Sequence, residues 1–301
     1  MAVETLLASN SFRLDKFATR TSLGEIDGKK FVYKSAITDE AKPFLEQTMA
    51  SERKNAEYLK GRFEVLCGTL KGDRIEYEYL PYQSLTAEIA AALCRGDYHG
   101  ANELFQDYVK RLRSLPRELV VPKEFFVAIT GNANFSNQKM DCLSRGVLDL
   151  IPRNILVNGE RWIVIDNEWS FDFPVPIAFV LFRAIRGLAI SLQIDIRKAT
   201  CMANPAIGMF NLGFSTYYVP VSWAEYIGDD HMVISQMHQW EMEFQRYLLG
   251  GEIDRSNSVK IKPKTRTHFG KVSILISMLK KRTGSWPVIR RLLDMLHRIA
   301  F

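Results

Sequence analysis

Three polar residues around a predicted β-hairpin have the types and spacing that phosphoryl transfer requires. Asp149 is followed five residues later by Asn154, and Asp166 ends the second of two apolar strands predicted at 154–158 and 161–166. One carboxylate can orient a hydroxyl and take its proton, while an amide oxygen and a second carboxylate can hold Mg²⁺. Each residue alone would be typical of a turn or strand end, but the three in register favour Asp149 as a base and Asn154 and Asp166 as metal ligands.

The elements before this hairpin are predicted from alternation and helical periodicity. Residues 12–37 read as short antiparallel strands, and 39–62 have the spacing of an amphipathic helix. Two further strands are expected near 63–70 and 74–80, and 85–115 is mainly helical. The start of the chain is therefore predicted to be rich in strands.

The chain after the hairpin is predicted to be mostly helical, with 177–192 and 232–249 as the clearest helices. An acceptor pocket is expected among these helices. Together with the strand-rich start, this pattern predicts an α+β fold.

The composition limits the class of protein. The chain has 301 residues, of which 47% are hydrophobic and 25% charged, which suits one large or two modest globular domains. This excludes an integral membrane bundle and a disordered chain, and the start has no pattern typical of a signal peptide. The four cysteines are widely separated and do not cluster with the five histidines, so we expect reduced thiols, no zinc site and a cytoplasmic protein.

The basic charge is concentrated at the end of the chain. Residues 260–301 contain eleven Lys or Arg against a single acid, Asp294, a net charge of +10, whereas residues 1–259 carry −4. Trp286, Ile289 and Leu293 recur at helical spacing there. This predicts an amphipathic tail that meets an anionic membrane surface, with docking on the body or on a partner protein as the alternative. Nucleic acid is disfavoured, because no stacking aromatics are interleaved on the polar face.

The chain resembles the protein-kinase-like superfamily. Asp149 and Asn154 match the catalytic loop of that superfamily, and Asp166 matches the aspartate of its next metal-binding motif. Lys34 ends a predicted strand and is followed by a helix rich in Glu, in the order that the superfamily uses. The resemblance implies a two-lobed fold with an N-lobe at 1–80, a C-lobe at 81–250 and a tail at 251–301.

The resemblance also implies a nucleotide site for ATP. Lys34 would anchor the phosphates, with Glu52 as its partner in preference to Glu46 and Glu57. Glu78-Tyr79-Leu80 would form the hinge whose backbone pairs with adenine. The stretch from Arg20 to Gly28 would be the phosphate loop.

Several motifs of regulated protein kinases are replaced in this chain. There is no G-x-G-x-x-G, Val147-Leu148 stands in place of His-Arg, and Ile151 stands where a Lys is usual. The third motif reads Asp166-Asn167-Glu168-Trp169 rather than Asp-Phe-Gly. These departures favour the small-molecule and glycan kinases of the same fold.

The strings Asp-x-x-Pro-x-Asn-Ile-Leu and Ile-Asp-Asn-Glu-Trp are similar to the kinase part of bacterial O-antigen chain terminators. The resemblance implies an ATP- and Mg²⁺-dependent kinase for the terminal sugar of a lipid-linked glycan, peripheral on the inner face of the cell membrane. The tail would then bind the membrane or a membrane-bound glycosyltransferase. An inactive kinase-like scaffold and a kinase for a free metabolite remain as alternatives. The chain has no methyltransferase glycine motif, which leaves later methylation open.

Overall fold

The computed structural model describes residues 4–131, 136–196, 207–211, 216–220, 223, 225–227 and 231–250. The tail predicted at 251–301 lies outside the described residues. Among the helices that the structure describes, none is long and apolar enough to cross a membrane.

The first part of the described chain consists mainly of strands. Its elements are β1 (Thr5–Ser9), β2 (Thr19–Ile26), β3 (Lys29–Ala36), α1 (Lys42–Tyr58), β4 (Glu64–Val65), β5 (Thr69–Lys71) and β6 (Arg74–Glu78). Five of the strands form one antiparallel sheet in the order β1-β2-β3-β6-β5.

Turn residues and a buried helix face explain this part of the fold. Asp27 and Gly28 join β2 to β3 with positive φ angles of 51° and 75°, which Asp tolerates and Gly adopts without strain. Helix α1 has a proline in its first turn and buries Leu45 against Ile75 and Tyr77. The helix is thereby fixed against the sheet that carries Lys34.

The second part of the described chain is mainly helical. Its helices are α2 (Leu85–Cys94), α3 (Tyr98–Arg113), α4 (Lys123–Thr130), α5 (Ile177–Ile196) and α6 (His231–Leu249). Its strands are β7 (Gln83–Ser84), β8 (Arg117–Val120), β9 (Met140–Leu143), β10 (Gly146–Val147), β11 (Ile155–Asn158), β12 (Arg161–Val164), β13 (Ser170–Phe171), β14 (Val175–Pro176), β15 (Ile207–Asn211) and β16 (Thr216–Pro220).

A four-stranded sheet connects the two parts. Its order is β4-β12-β11-β7, with β4 parallel to β12 and the other pairs antiparallel. The hairpin of β11 and β12 pairs Ile155 with Val164 and Asn158 with Arg161. Gly159 in its turn has a φ of 60°. Asn154 comes immediately before β11, and Asp166 comes two residues after β12. Both residues therefore lie at the open end of the hairpin.

The helices share one continuous apolar core. Large aromatic side chains from α3, α4, α5 and α6 lie fully or almost fully buried in it, including Phe105, Phe125, Phe179 and Trp240. Burying an apolar side chain of this size contributes about 1.5–3 kcal/mol. This core provides a rigid support for the loop that carries Asp149.

The predicted α+β class, the hairpin and the helices are confirmed, but four features differ from the predictions. Residues 12–18 form a loop with a short 3₁₀ turn rather than a strand, and β1 was missed because all its residues are exposed. The sheet order β14-β9-β8 was also missed, because these strands are short and do not alternate clearly. Strands β15 and β16 interrupt a region that was predicted to be helical.

Candidate active site

Asp149 lies in a short loop between β10 and β11 that is held on both sides. Its neighbours Leu148 and Leu150 are fully buried. The backbone N–H of Leu148 donates to the carbonyl of Trp169 at 2.9 Å, and the Tyr108 hydroxyl donates to the carbonyl of Leu150 at 2.8 Å. The backbone at Asp149 therefore has little freedom to move.

The carboxylate of Asp149 is buried and contacts two donors. Its Oδ2 accepts a hydrogen bond from the backbone N–H of Trp169 at 3.0 Å, and its Oδ1 lies 3.8 Å from Nη1 of Arg183. Burial raises the pKa of Asp149 to about 6, with Arg183 opposing the rise and Asp166 and Glu168 adding to it. Asp149 is therefore largely ionised at neutral pH and can accept a proton.

Asn154 is fixed against the same loop. Its side-chain nitrogen donates a hydrogen bond to the backbone carbonyl of Asp149 at 3.1 Å. The backbone carbonyl of Asn154 accepts a hydrogen bond from the backbone N–H of Ile165 at 2.8 Å. The side chain is buried at one end of the hairpin. The side-chain amide oxygen of Asn154 is therefore the atom that could bind a cation.

Lys34 and Asp166 meet where the first sheet faces the hairpin. The buried ammonium of Lys34 forms an ion pair with Oδ1 of Asp166 and a second one with Oε1 of Glu168 at 3.0 Å. Burial alone would lower the pKa of Lys34, but the two carboxylates hold it well above its ordinary value. Asp166 has a positive φ of 57°, and its side chain is 49% exposed.

Glu168 was not among the predicted site residues, although it contacts more of the site than Asp166 does. It accepts hydrogen bonds from Arg13 at 2.5 Å and from the hydroxyl of Thr19 at 3.3 Å, in addition to pairing with Lys34. Burial would raise its pKa, but Lys34 and Arg13 hold the pKa of Glu168 well below its ordinary value. The sequence signal for Glu168 was its place two residues after Asp166.

The predicted ion pair between Lys34 and Glu52 is wrong for the described structure. Glu52 is buried in α1, but its two oxygens accept the hydroxyl of Tyr77 at 2.7 Å and the backbone N–H of Gly68 at 2.9 Å. Burial raises the pKa of Glu52 above its usual range against these hydrogen bonds. Glu52 therefore ties α1 to the sheet, and Lys34 takes its partners from Asp166 and Glu168.

The predicted hinge residues lie at the end of β6 and just after it. Glu78 is the last residue of the strand, and the backbone N–H of Tyr79 donates to the carbonyl of Lys30 at 3.3 Å. This N–H is thus already used within the first sheet. If this segment pairs with adenine, the backbone groups of Glu78 and of the half-buried Leu80 would have to make the hydrogen bonds. The role of this segment as a hinge stays a prediction.

The predicted phosphate loop from Arg20 to Gly28 is wrong, because most of it is strand β2. The β2–β3 turn lies beside Lys29, five residues from Lys34, or about 17 Å along the strand. The connection that lies at the Lys34 end of the sheet is the one between β1 and β2. This connection, residues 10–18, carries Arg13 to Glu168.

Asp149 and Asp166 border one cavity of about 290 Å³, whereas Lys34 and Asn154 are not part of its lining. The Asp149 loop and the residues after the hairpin contribute Asp149, Arg153, Asp166, Glu168 and Trp169, while the 10–18 connection contributes Asn10, Phe12 and Arg13. Helices α5 and α6 close the remaining side with Arg183, Phe244, Gln245, Leu248 and Leu249.

Arg183 fixes the loop that carries Asp149 to the helices. Its Nη1 donates to the carbonyl of Leu148 at 2.6 Å, and its Nε donates to Oε2 of Glu241 at 3.0 Å. Glu241 is buried; its burial would raise its pKa, but Arg183 and Arg186 lower the pKa below its ordinary value. Arg183 and Glu241 were not predicted, because they lie in helices with no local motif.

The oxygen atoms of Asn154 and Asp166 suit a divalent cation whose remaining ligands come from the substrate. Within the described ranges no group of three or more His, Cys, Asp or Glu could hold a metal by itself. Asn154 and Asp166 offer oxygen atoms next to the same loop and hairpin, which is the ligand chemistry of Mg²⁺. Phosphate oxygens and water would supply its remaining ligands.

No model of a known protein family matches the sequence, and no curated protein is significantly similar to it. Among solved structures, a type I macrolide 2'-phosphotransferase is 13% identical over 83% of this chain and 87% of its own, with a TM-score of 0.42. An ADP-bound aminoglycoside phosphotransferase is 12% identical over 91% of each chain, with a TM-score of 0.40. A choline kinase from Streptococcus pneumoniae is 14% identical over 75% of this chain and 79% of its own, with a TM-score of 0.36.

Proposed function

We propose that this chain is an ATP- and Mg²⁺-dependent phosphotransferase that acts on a hydroxyl group of a carbohydrate. The acceptor proposed is the terminal sugar of a lipid-linked glycan of the O-antigen type. The observation that carries the proposal is the convergence of Asp149 and Asp166 on one cavity, with Lys34 paired to Asp166 behind it. These are the groups that phosphoryl transfer needs: a base, a metal ligand and a phosphate anchor.

Asp149 would take the proton of the attacking hydroxyl. The acceptor oxygen forms a bond to the γ-phosphorus, the bond from that phosphorus to the β–γ bridging oxygen breaks, and ADP leaves with the electron pair. Asp149 is suited to this role because it is buried, held by Trp169 and ionised at neutral pH. Arg183, 3.8 Å from Oδ1, attracts the ionised carboxylate, and the hydrogen bond from Trp169 to Oδ2 orients it.

Lys34, Asn154 and Asp166 would hold the nucleotide phosphates. When bound, Mg²⁺ would neutralise charge on the phosphate oxygens, with Asn154 and Asp166 as its protein ligands. The ammonium of Lys34 is buried and already balanced by two carboxylates. A phosphate that reaches Lys34 would therefore share it with Asp166 and Glu168.

The size of the cavity supports a small acceptor group. A volume of about 290 Å³ lies just below the usual range of about 300–1,000 Å³ for small-molecule sites. Such a cavity suits one sugar unit, as at the end of a glycan, better than the middle of a chain. The basic amphipathic pattern of 260–301 supports an acceptor that is anchored at a membrane.

The test is transfer of labelled γ-phosphate from ATP with Mg²⁺ to lipid-linked glycans extracted from the source cell, with free sugars as a parallel acceptor. We expect label in the glycan fraction, and mass spectrometry would locate it on the terminal sugar. Label only in the free sugars would reject the lipid-linked acceptor and favour a metabolite kinase. An absence of both transfer and Mg²⁺-dependent ATP binding would reject the phosphotransferase and favour the scaffold.

A further inference from the structure

The cavity that contains Asp149 is also lined by three arginines. Arg13 is paired with Glu168 at 2.5 Å, and Arg183 is paired with Glu241 at 3.0 Å. These two guanidinium groups are therefore neutralised by protein carboxylates. The third, Arg153, differs from them in this respect.

The side chain of Arg153 has no hydrogen-bond or ion-pair partner in the part of the chain that the structure describes, and it is exposed at the cavity. Its backbone is fixed, because it lies in the 3₁₀ turn Pro152–Asn154, whose outer residues are both buried. Its charge acts on Asp149, favouring the ionised carboxylate. A fixed backbone and an unpaired cation next to the base are what a binding group for the acceptor requires.

The carboxylates along the cavity wall have other partners. Asp166 and Glu168 are held by Lys34, and Glu168 is also held by Arg13. Asp149 contacts Arg183 and the backbone of Trp169. Arg153 is thus the cation on this wall that is left to meet a charge brought by a ligand.

We propose that the acceptor carries an anionic group, a carboxylate or a phosphate, and that Arg153 binds this group so that a hydroxyl of the same acceptor lies at Asp149. This inference rests on the proposed phosphotransferase function. The planar guanidinium can donate two parallel hydrogen bonds to a carboxylate or phosphate, which fixes orientation as well as position. The amide groups of Asn10 and Gln245 line the same cavity and suit the neutral hydroxyls of such an acceptor.

The test compares a neutral hexose with the corresponding hexuronic acid and hexose phosphate as acceptors, for the wild type and for Arg153→Gln and Arg153→Lys. The matched control is Arg95→Gln, since Arg95 is an exposed arginine that does not line this cavity. Charge-assisted hydrogen bonds of this kind correspond to about a tenfold to hundredfold change in affinity. The wild type is expected to prefer one of the two acidic acceptors by about this factor.

Arg153→Gln is expected to remove this preference without changing the KM for ATP, and Arg153→Lys to restore part of it. The acidic acceptor whose kcat/KM falls most in Arg153→Gln identifies the anionic group as a carboxylate or a phosphate. If Arg153→Gln lowered kcat/KM equally for neutral and acidic acceptors, the inference would be overturned. A raised KM for ATP would also overturn it, because Arg153 would then belong to the nucleotide site.

Direct binding separates this inference from the proposed function. Calorimetric titration of each sugar acid into the wild type and Arg153→Gln needs no turnover. If the wild type transfers no phosphate but binds an acidic sugar that Arg153→Gln does not bind, the inference holds and the proposed reaction fails. If neither acidic sugar binds the wild type more tightly than the hexose does, the inference fails.

Discussion

At the scale of single residues, one buried ammonium organises the candidate nucleotide site. Lys34 joins the first sheet to Asp166 and Glu168, which follow the hairpin more than 130 residues later. A buried charge is tolerated only where it is paired, and here each partner is itself a candidate functional group. The same contact therefore joins two parts of the fold and brings together the groups proposed to bind phosphate.

Replacing Lys34 by Met is expected to raise the KM for ATP by about tenfold or more, because a charge-assisted contact to phosphate is lost. Steady-state kinetics at saturating acceptor would measure this. The control is Lys71→Met, since Lys71 is exposed and pairs only with Glu76 in the described part of the chain. An unchanged KM in Lys34→Met would place the phosphates elsewhere.

Glu241 gives a prediction about stability and pH. Arg183 and Arg186 lower the pKa of Glu241 in the folded protein, so its stabilising effect is full above its unfolded pKa of about 4.3 and is lost as the pH falls through the lowered folded value. Glu241→Gln removes the nearer of the two buried carboxylates that pair with Arg183, leaving Asp149 at 3.8 Å, and should reduce the free energy of unfolding at pH 7 by about 3 kcal/mol. The difference from the wild type should narrow below about pH 4.

Urea denaturation of the wild type and Glu241→Gln, at pH 7 and below about pH 4, would measure the difference in their free energies of unfolding. Glu103→Gln is the control, because Glu103 is exposed and pairs with His99 at the surface. A difference between wild type and Glu241→Gln that stays constant with pH would show that the Glu241 carboxylate is not held ionised by its two arginines.

At the scale of elements, the connection between β1 and β2 forms one wall of the cavity. The backbone N–H of Leu14 donates to the carbonyl of Leu248 in α6 at 3.0 Å. Phe17 packs edge-on against Phe44 and Trp169, with ring centroids 5.2 and 5.1 Å apart. The connection is therefore fixed to both α1 and α6.

Phe17→Ala is expected to reduce the free energy of unfolding by about 3–5 kcal/mol, because it leaves a cavity among buried rings. Phe12→Ala in the same connection should change it by less than about 0.5 kcal/mol, since Phe12 is 51% exposed. Denaturant unfolding of the two variants tests this contrast. Similar small effects in both would show that the connection is not anchored through Phe17.

The sequence predicted the parts of the site that depend on local pattern. Asp149, Asn154 and Asp166 lie close in sequence around one hairpin, and alternation located that hairpin. Arg13 and Glu168 are 155 residues apart, so their contact depends on how the first sheet meets the second part of the chain. Glu52 was assigned to Lys34 incorrectly, because the orientation of α1 over the sheet is decided by packing.

At the scale of the whole molecule, the candidate site lies where the strand-rich part meets the helical part. Lys34 comes from the first part, and Asp149, Asn154 and Asp166 come from the second. A ligand that contacts both groups would hold the two parts together. Binding of such a ligand to the native state stabilises it by mass action.

ATP with Mg²⁺ is therefore expected to raise the thermal unfolding midpoint, with about 2.7 kcal/mol of stabilisation at a hundredfold excess over Kd. ATP with a chelator should give a smaller shift, and Lys34→Met should reduce the shift further. A midpoint that does not respond to Mg²⁺ and ATP would favour the inactive scaffold.

The measurement that tests the central claim most directly is ATP-dependent phosphoryl transfer by Asp149→Asn beside its control Asp141→Asn. Asp149 is buried at the cavity, whereas Asp141 is an exposed carboxylate that pairs with Arg117. We expect Asp149→Asn to lose at least about a hundredfold in kcat, within the usual range for a general base, while ATP still binds. Asp141→Asn should keep the wild-type rate. Full turnover by Asp149→Asn would contradict the account.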